Sequence, residues 1–136
     1  MSEVTVTPYI YFKGQAREAM EFYKSVFGGT LDVVSYADMP DVEGVDKDWL
    51  MHAALYGGDA HLFASDTTGA SAKAAKIELA LGGDNELRLR EIFGKLSEGG
   101  EIKRPIQKEA WGDLFGALQD KYGIEWMVNI TVAKAA

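Results

Sequence analysis

Residues Tyr9 to Leu31 read YIYFKGQAREAMEFYKSVFGGTL, and this stretch sets the plan of the chain. Val4 to Phe12 is rich in β-branched and aromatic residues, the composition of a half-buried strand. From Gln15 to Phe27 the spacing turns helical. Ala16, Ala19, Met20, Tyr23 and Phe27 share one face; Arg17, Glu18, Glu21 and Lys24 share the other. Gly28-Gly29 stops the helix, because glycine enters the left-handed cap conformation without a Cβ penalty. Thr30 to Tyr36 then resumes a β-type run. A helix with one apolar face covers one side of a sheet and leaves the other side open.

The plan recurs. Lys76 to Leu81 reads as a strand and Gly82-Gly83-Asp84 as a turn that offers an Asp N-cap. Asn85 to Glu98 reads as a helix that buries Leu89, Ile92, Phe93 and Leu96, and Gly99-Gly100 stops it. EIKRPIQKEA follows, with Pro105 marking an edge or irregular strand. WGDLFGALQ is the next-to-last strand, opened by Trp111. DKYG is a turn, and IEWMVNITV is the final strand. Each half reads β-α-β-β-β, a repeat carried by the order of elements rather than by residue identity. The modules span about 1–66 and 75–136. The small-residue stretch DTTGASAKAA, which opens at Asp66, supplies the joint at 67–74.

Within the first half, Met39 to Asp48 is an acidic surface loop, and WLMHAALYGGDAHLFASD reads as a hairpin around Gly57-Gly58. With those glycines as the two turn residues, Tyr56 pairs with Asp59, Ala54 with His61 and His52 with Phe63. Alternation then puts Met51, Ala53, Leu55, Ala60, Leu62 and Ala64 on one face. His52, Ala54, Tyr56, His61, Phe63 and Ser65 take the other. The first set suits the surface under a helix, and the second suits the wall of a cavity.

Composition narrows the function. At 136 residues the chain fits one domain with a real core. Its formal charge of −7, with no cluster of Lys or Arg, argues against nucleic acid or an anionic membrane as partner. The absence of cysteine removes disulfides, thiolate metal sites and a Cys nucleophile. No signal region opens the chain and no apolar run approaches membrane-spanning length, so a cytoplasmic location is expected. WGDLFG lacks the Lys and the glycine spacing of a phosphate loop, and no Gly-x-Ser-x-Gly elbow occurs.

YIYFKGQAREAMEFYKSVFGG, the MHAAL…GG hairpin, PIQKEAWGDLFGALQDKYGIEWMVN and the duplicated β-α-β-β-β order resemble the vicinal oxygen chelate superfamily. That superfamily includes glyoxalase I, bleomycin-resistance proteins and extradiol dioxygenases. Within it, the chain is most similar to the PhnB-like branch, and the resemblance covers essentially its whole length. It implies an α+β fold: two modules whose curved mixed sheets form clefts, with helices outside, and a homodimer. The branch often carries a demethylubiquinone methyltransferase label. No glycine-rich cofactor loop follows the first strand here, so the label finds no support. The superfamily's enzymes bind a divalent metal through His, Glu or Gln on four strands. Carried over, those slots fall at Thr7 or Pro8, at His61 or Phe63, at Glu78 and at Met127. Only Glu78 and His61 among them are ordinary ligands, fewer than the three a catalytic zinc site takes. The usual metal centre is therefore expected to be lost, with no cofactor.

The favoured reading is a metal-independent small-molecule binding protein of the glyoxalase/bleomycin-resistance type. The candidate ligand-binding residues are Tyr9, Tyr11, His52, Phe63, Glu78, Trp111 and Met127. Tyr9 and Tyr11 alternate with Ile10 and Phe12 and offer an apolar wall with polar tips. Glu78 sits between Ile77 and Leu79, opposite in phase, as either a cleft carboxylate or a solvated one. Trp126 belongs under a helix, which leaves Glu125, Met127 and Asn129 on the open side. Trp111 fits either the cleft mouth or a chain–chain contact. The alternative reading is a lyase, isomerase or dioxygenase-type enzyme with a divalent metal on His52, His61 and Glu78. A third is a dimeric scaffold whose cleft is filled by its own side chains.

Overall fold

The computed structural model describes residues 7–38, 43–68 and 77–132. These fall into two compact units, one inside 1–73 and the other inside 74–136. The expected strand start at Val4, part of the acidic loop and most of the joint lie outside the described residues.

The first unit runs β1 (Tyr9–Phe12), α1 (Ala16–Phe27), β2 (Thr30–Ser35), β3 (Leu50–Tyr56) and β4 (Leu62–Asp66). The second runs β5 (Leu79–Gly83), α2 (Glu86–Ser97), β6 (Glu101–Lys108), β7 (Leu114–Gln119) and β8 (Glu125–Ile130). The β-α-β-β-β order holds twice. Each unit forms a four-stranded mixed sheet, ordered β1-β4-β3-β2 and β5-β8-β7-β6. In each, the first strand runs parallel to the last and the other neighbours are antiparallel.

α1 buries Ala16, Ala19, Met20, Tyr23, Val26 and Phe27. Beneath it lie Phe12, Ala53, Leu55, Leu62 and Ala64, all buried. Each large apolar side chain so covered contributes about 1.5–3 kcal/mol. α2 buries Leu89, Ile92, Phe93 and Leu96, and Leu118, Trp126, Val128 and Ile130 are buried in the same unit. Both apolar helix faces are those the spacing predicts.

The hairpin register departs from the expected one. Leu55 pairs with Leu62, Ala54 with Phe63 and Ala53 with Ala64, so the loop is 56–61 rather than Gly57-Gly58 alone. The cause is the end of α1. Asp59 N–H donates to Phe27 C=O (3.0 Å), and a Cβ on Gly58 would come within 2.5 Å of the Phe27 and Gly28 carbonyl oxygens. The glycine pairs 28–29 and 57–58 let two backbones touch, which draws the loop onto the helix end. The slip is two residues, an even number, so His52 to Leu55 and Leu62 to Ser65 keep their predicted faces. Met51 does not, since a bulge there gives the buried place to Leu50.

Three smaller boundaries also move. β5 extends through Gly82 and Gly83, and the α2 cap is not Asp84 but Asn85, whose Oδ1 accepts from Arg88 N–H (3.1 Å). β7 begins at Leu114, which leaves Trp111 in the preceding turn. Asp66 is not part of the joint: it closes β4 and is buried.

Two buried carboxylates hold these units. Asp66 Oδ1 accepts from Gly14 N–H (2.7 Å) and Ala16 N–H (3.0 Å), and Oδ2 accepts from Leu50 N–H (3.0 Å). Asp120 Oδ1 accepts from Tyr122 and Ile124 N–H, and Oδ2 from the Trp126 indole N–H (2.9 Å). Asp66→Ala strands three backbone donors, at a cost of about 3 kcal/mol or more. Asp66→Asn brings an NH₂ group against a donor, at about half that cost. Asn85→Ala, which removes only a local cap, costs about 1 kcal/mol. Urea unfolding followed by circular dichroism should return this order.

Candidate functional site

Alternation along β1, β3 and β4 builds the open face of the first sheet. Tyr9 stands opposite Phe63 and Tyr11 opposite Ser65, while Ala54 faces Phe63 from the other side. β2 adds Asp32 opposite Ala54 and Val34 opposite His52. The rings form one cluster. Tyr9 stacks on Tyr11 at 5.0 Å between centroids and meets Phe63 edge-on at 5.8 Å. His52 lies 5.7 Å from Tyr9 and 5.2 Å from Phe63. Tyr9 Oη and His52 Nδ1 share a hydrogen bond of 2.9 Å. Four of the seven predicted ligand-binding residues are thereby brought together, each as the period-2 pattern places it.

The histidine pair fares differently. In the observed register His61 precedes β4, four residues along from His52 rather than two, roughly 13 Å of strand. His61 is exposed and meets the Phe63 ring edge-on at 5.3 Å. Among the described residues, no group of three or more His, Asp or Glu stands where it could hold a metal ion. At the four slots carried over from the superfamily the structure has Thr7 and Pro8, Phe63 beside His61, Glu78 and Met127. That set does not match the donors of a divalent ion.

The second sheet's open face carries a trough of about 320 Å³, lined by Glu78, Lys103, Arg104, Phe115, Ala117, Leu118, Glu125 and Met127. Met127 lies between Ala80 and Ala117, and Asn129 between Gly82 and Phe115. Small neighbours leave the middle low. From the Gln119–Glu125 pair to the Phe115–Asn129 pair is four residues, roughly 13 Å. Trp111 is 55% exposed and closes the far end of this face. Its indole N–H donates to Asn129 Oδ1 (3.2 Å), its ring meets Phe115 edge-on at 5.8 Å, and Asn129 Nδ2 donates to Asp113 Oδ2 (3.0 Å). Glu78, Met127 and Trp111 thus share one face. Phe115, Lys103 and Arg104 were not predicted. The period-2 signal could have found Phe115, in phase with Ala117 and opposite Asn129.

At the charged end, Lys103 Nζ donates to Glu125 Oε1 (3.0 Å) and Arg104 Nη2 to Glu109 Oε1 (2.6 Å). The Arg104 guanidinium carbon lies 5.4 Å from the Phe115 centroid, in cation–π range. Glu125, by its hydrogen bond and then its charge, raises the Lys103 pKa against a small opposing effect of burial. Glu101 and Glu78 add to the rise, so Lys103 stays an ammonium. A larger hollow of about 490 Å³ lies beside α1, lined by Gly14, Arg17, Glu18, Glu21, Asp46, Asp48 and Trp49. Its lining sets five charged side chains around Trp49, whereas the trough pairs a floor of Phe115, Ala117 and Met127 with polar groups, the composition of small-molecule sites.

A family model for the Glyoxalase/Bleomycin resistance protein/Dioxygenase superfamily matches residues 5–128. The solved structure of protein PA1353 from Pseudomonas aeruginosa is 32% identical, with a TM-score of 0.82 over 94% of this chain and 98% of that one. The PhnB protein from Bacillus cereus is 24% identical, with a TM-score of 0.72 over 94% of this chain and 100% of that one. Protein YjdN of Escherichia coli (strain K12) is 24% identical over 92% of this chain and 94% of its own length. Among the described residues no helix is long and apolar enough to cross a membrane.

Two phenols should titrate late. Burial raises the Tyr9 pKa, more than the Ser65 hydroxyl lowers it, and a hydrogen bond to Asp32 raises that of Tyr56. A raised folded pKa gives stability that is complete below the unfolded phenol range, near pH 10, and lost as pH rises through the folded value. An alkaline absorbance titration of tyrosinate should show both ionising after the free phenol. Tyr9→Phe should remove one of the late protons and leave the other.

Proposed function

The chain belongs to the Glyoxalase/Bleomycin resistance protein/Dioxygenase superfamily, in its PhnB-like branch, and from that premise we propose a metal-independent small-molecule binding protein. The observation that carries this reading is the trough on the second sheet. It has a floor of Phe115, Met127 and Ala117 and a rim of charged groups, and its size falls at the small end of ligand sites. A flat or amphipathic molecule suits it. The ligand's apolar body would lie along Phe115 and Met127, with Trp111 at one end and the charged rim at the other. The clustered rings of Tyr9, Tyr11, His52 and Phe63 offer the first unit's counterpart, a wall of rings with polar tips.

The donor set supports independence from the divalent metal the superfamily's enzymes use. His52 and His61 are set apart by the hairpin register, and among the described residues no group of three or more His, Asp or Glu could hold a metal ion. We place a cytoplasmic homodimer beside this reading, as the resemblance implies, with no nucleic acid or membrane as partner. A methyl-transfer reading gains nothing from the geometry. Both sheets are mixed and four-stranded, unlike the doubly wound parallel sheet of a nucleotide-type cofactor site.

Elemental analysis of purified, untagged protein, with a melting-temperature scan across divalent metals, tests the metal half of the reading. Substoichiometric metal and an unmoved melting temperature are expected. A stoichiometric metal that raises the melting temperature would overturn metal independence and direct mutation to His52, His61 and Glu78. For the site itself, Phe115→Ala should weaken binding of a flat aromatic probe about tenfold or more, since a stacked ring contributes roughly 1–3 kcal/mol. Tyr56→Phe, on the other unit, should leave that affinity unchanged.

A further inference from the structure

β6 is longer than its partner, and the excess decides the chemistry of the trough. Glu101 pairs with Gln119 and Lys108 with Leu114, so eight residues of β6 face six of β7. The first extra residue falls between Ile102, opposite Leu118, and Arg104, opposite Ala117; Lys103 is the one left over. In an uninterrupted ladder Lys103 would oppose Ala117, and Arg104 would oppose Gly116 on the helix side. The bulge turns Arg104 to the open face instead, so consecutive residues point into one trough. The second irregularity, between Arg104 and Gln107, brings Ile106 over Gly116. A Cβ on Gly116 would fall within 2.7 Å of Ile106 Cγ1 and 3.0 Å of Phe93. Ile106 therefore fills the helix-side place that Arg104 would otherwise take.

The first unit has no such corner. β2, the equivalent strand, keeps an even ladder from Thr30 to Val34, and its one irregularity lies past that, where Met51 of β3 is the extra residue. The two bulges set the second copy apart from the plan it repeats, and their result is a pair of adjacent cations over an aromatic floor.

Both cations keep donors in hand. Glu109 takes one Arg104 amine through a single oxygen, and the guanidinium sits over Phe115 with its other N–H groups unclaimed among the described residues. Lys103 gives one of its three protons to Glu125. The carboxylates are the covered partners, with side chains 15% and 14% exposed, while Arg104 and Lys103 are 51% and 42% exposed. Glu109 and Glu125, the latter itself on the trough wall with Glu78, thus hold the two cations in place, and both cations stay partly open to solvent.

Resting on the binding reading above, we infer that the trough selects ligands with an oxyanion, a carboxylate or a phosphate-type group, joined to a flat apolar body. The oxyanion meets Arg104 and Lys103, and the body lies on Phe115 and Met127 toward Trp111. A planar guanidinium already held by Glu109 and by the Phe115 ring suits an oxyanion's paired lone pairs.

Naphthoate, naphthamide and naphthylmethylammonium share one ring body and differ in charge. Titrated calorimetrically into the full chain, naphthoate should bind about tenfold or more tighter than naphthamide, the yield of a charge-assisted contact. Arg104→Gln and Lys103→Gln should each bring that ratio toward one by weakening naphthoate more than naphthamide, and melting temperatures will confirm that both variants fold. Equal affinities for acid and amide, or a preference for the ammonium, would overturn the oxyanion inference while leaving the trough a binding site. Binding of none of the three, with Phe115→Ala likewise silent, would remove the trough as a site and the inference with it.

Discussion

One carboxylate ties the first unit together across more than fifty residues of chain. α1 begins without help from its own sequence: Gln15 stands at the N-cap and gives no side-chain hydrogen bond. Asp66, from the end of β4, reaches over and accepts from Gly14 and Ala16 while its other oxygen takes Leu50 at the start of β3. A helix start, the turn before it and two strands meet on one side chain. Buried charge of this kind is costly unless every lone pair is used, and here three backbone donors and the adjacent helix N-terminus use them. The same junction lies where β1 runs beside β4 in the register that sets Tyr9 opposite Phe63 and Tyr11 opposite Ser65. The aromatic face is downstream of the Asp66 contact.

The second unit meets the same demand by other means. Its helix is capped locally, by Asn85, and its buried carboxylate, Asp120, gathers the β7–β8 turn and the Trp126 indole instead. Trp126 in turn is the largest fully buried side chain among the described residues. Two copies of one plan thus place their costliest polar group at different corners. A repeat of topology need not be a repeat of energetics, because each junction only requires that its donors be satisfied.

Legibility followed the same division. What depends on local period was readable: both apolar helix faces, the glycine stops, and the alternation that puts Tyr9, His52 and Phe63 on the open face of the first sheet and Glu125, Met127 and Asn129 on that of the second. What depends on a contact distant in sequence was not. Gly57-Gly58 has the composition of a two-residue turn, yet the pair serves the approach of the loop to Phe27 and Gly28, and the register follows that approach. Asp66, at the head of a run of small residues, reads as linker until the backbone donors of Gly14 and Leu50 are brought to it. In both cases the local signal was real and a tertiary hydrogen bond outweighed it.

The bulged strand is the harder case, and it bears on why the trough lies where it does. Period-2 counting sends Lys103 and Arg104 to opposite faces, and only Pro105 hints that the count will fail. At an edge strand such a failure costs little, since one side of the ladder is already unpaired with protein. Gly116 completes the arrangement on the inner side, where its missing Cβ admits Ile106 above Phe93. The price of a broken ladder is therefore met by apolar packing on the helix side, while the open side gains a charge it could not otherwise hold. Chemistry concentrated at an edge bulge leaves the central strands free to carry the fold, so this trough can change its polar groups without disturbing the core beneath α2.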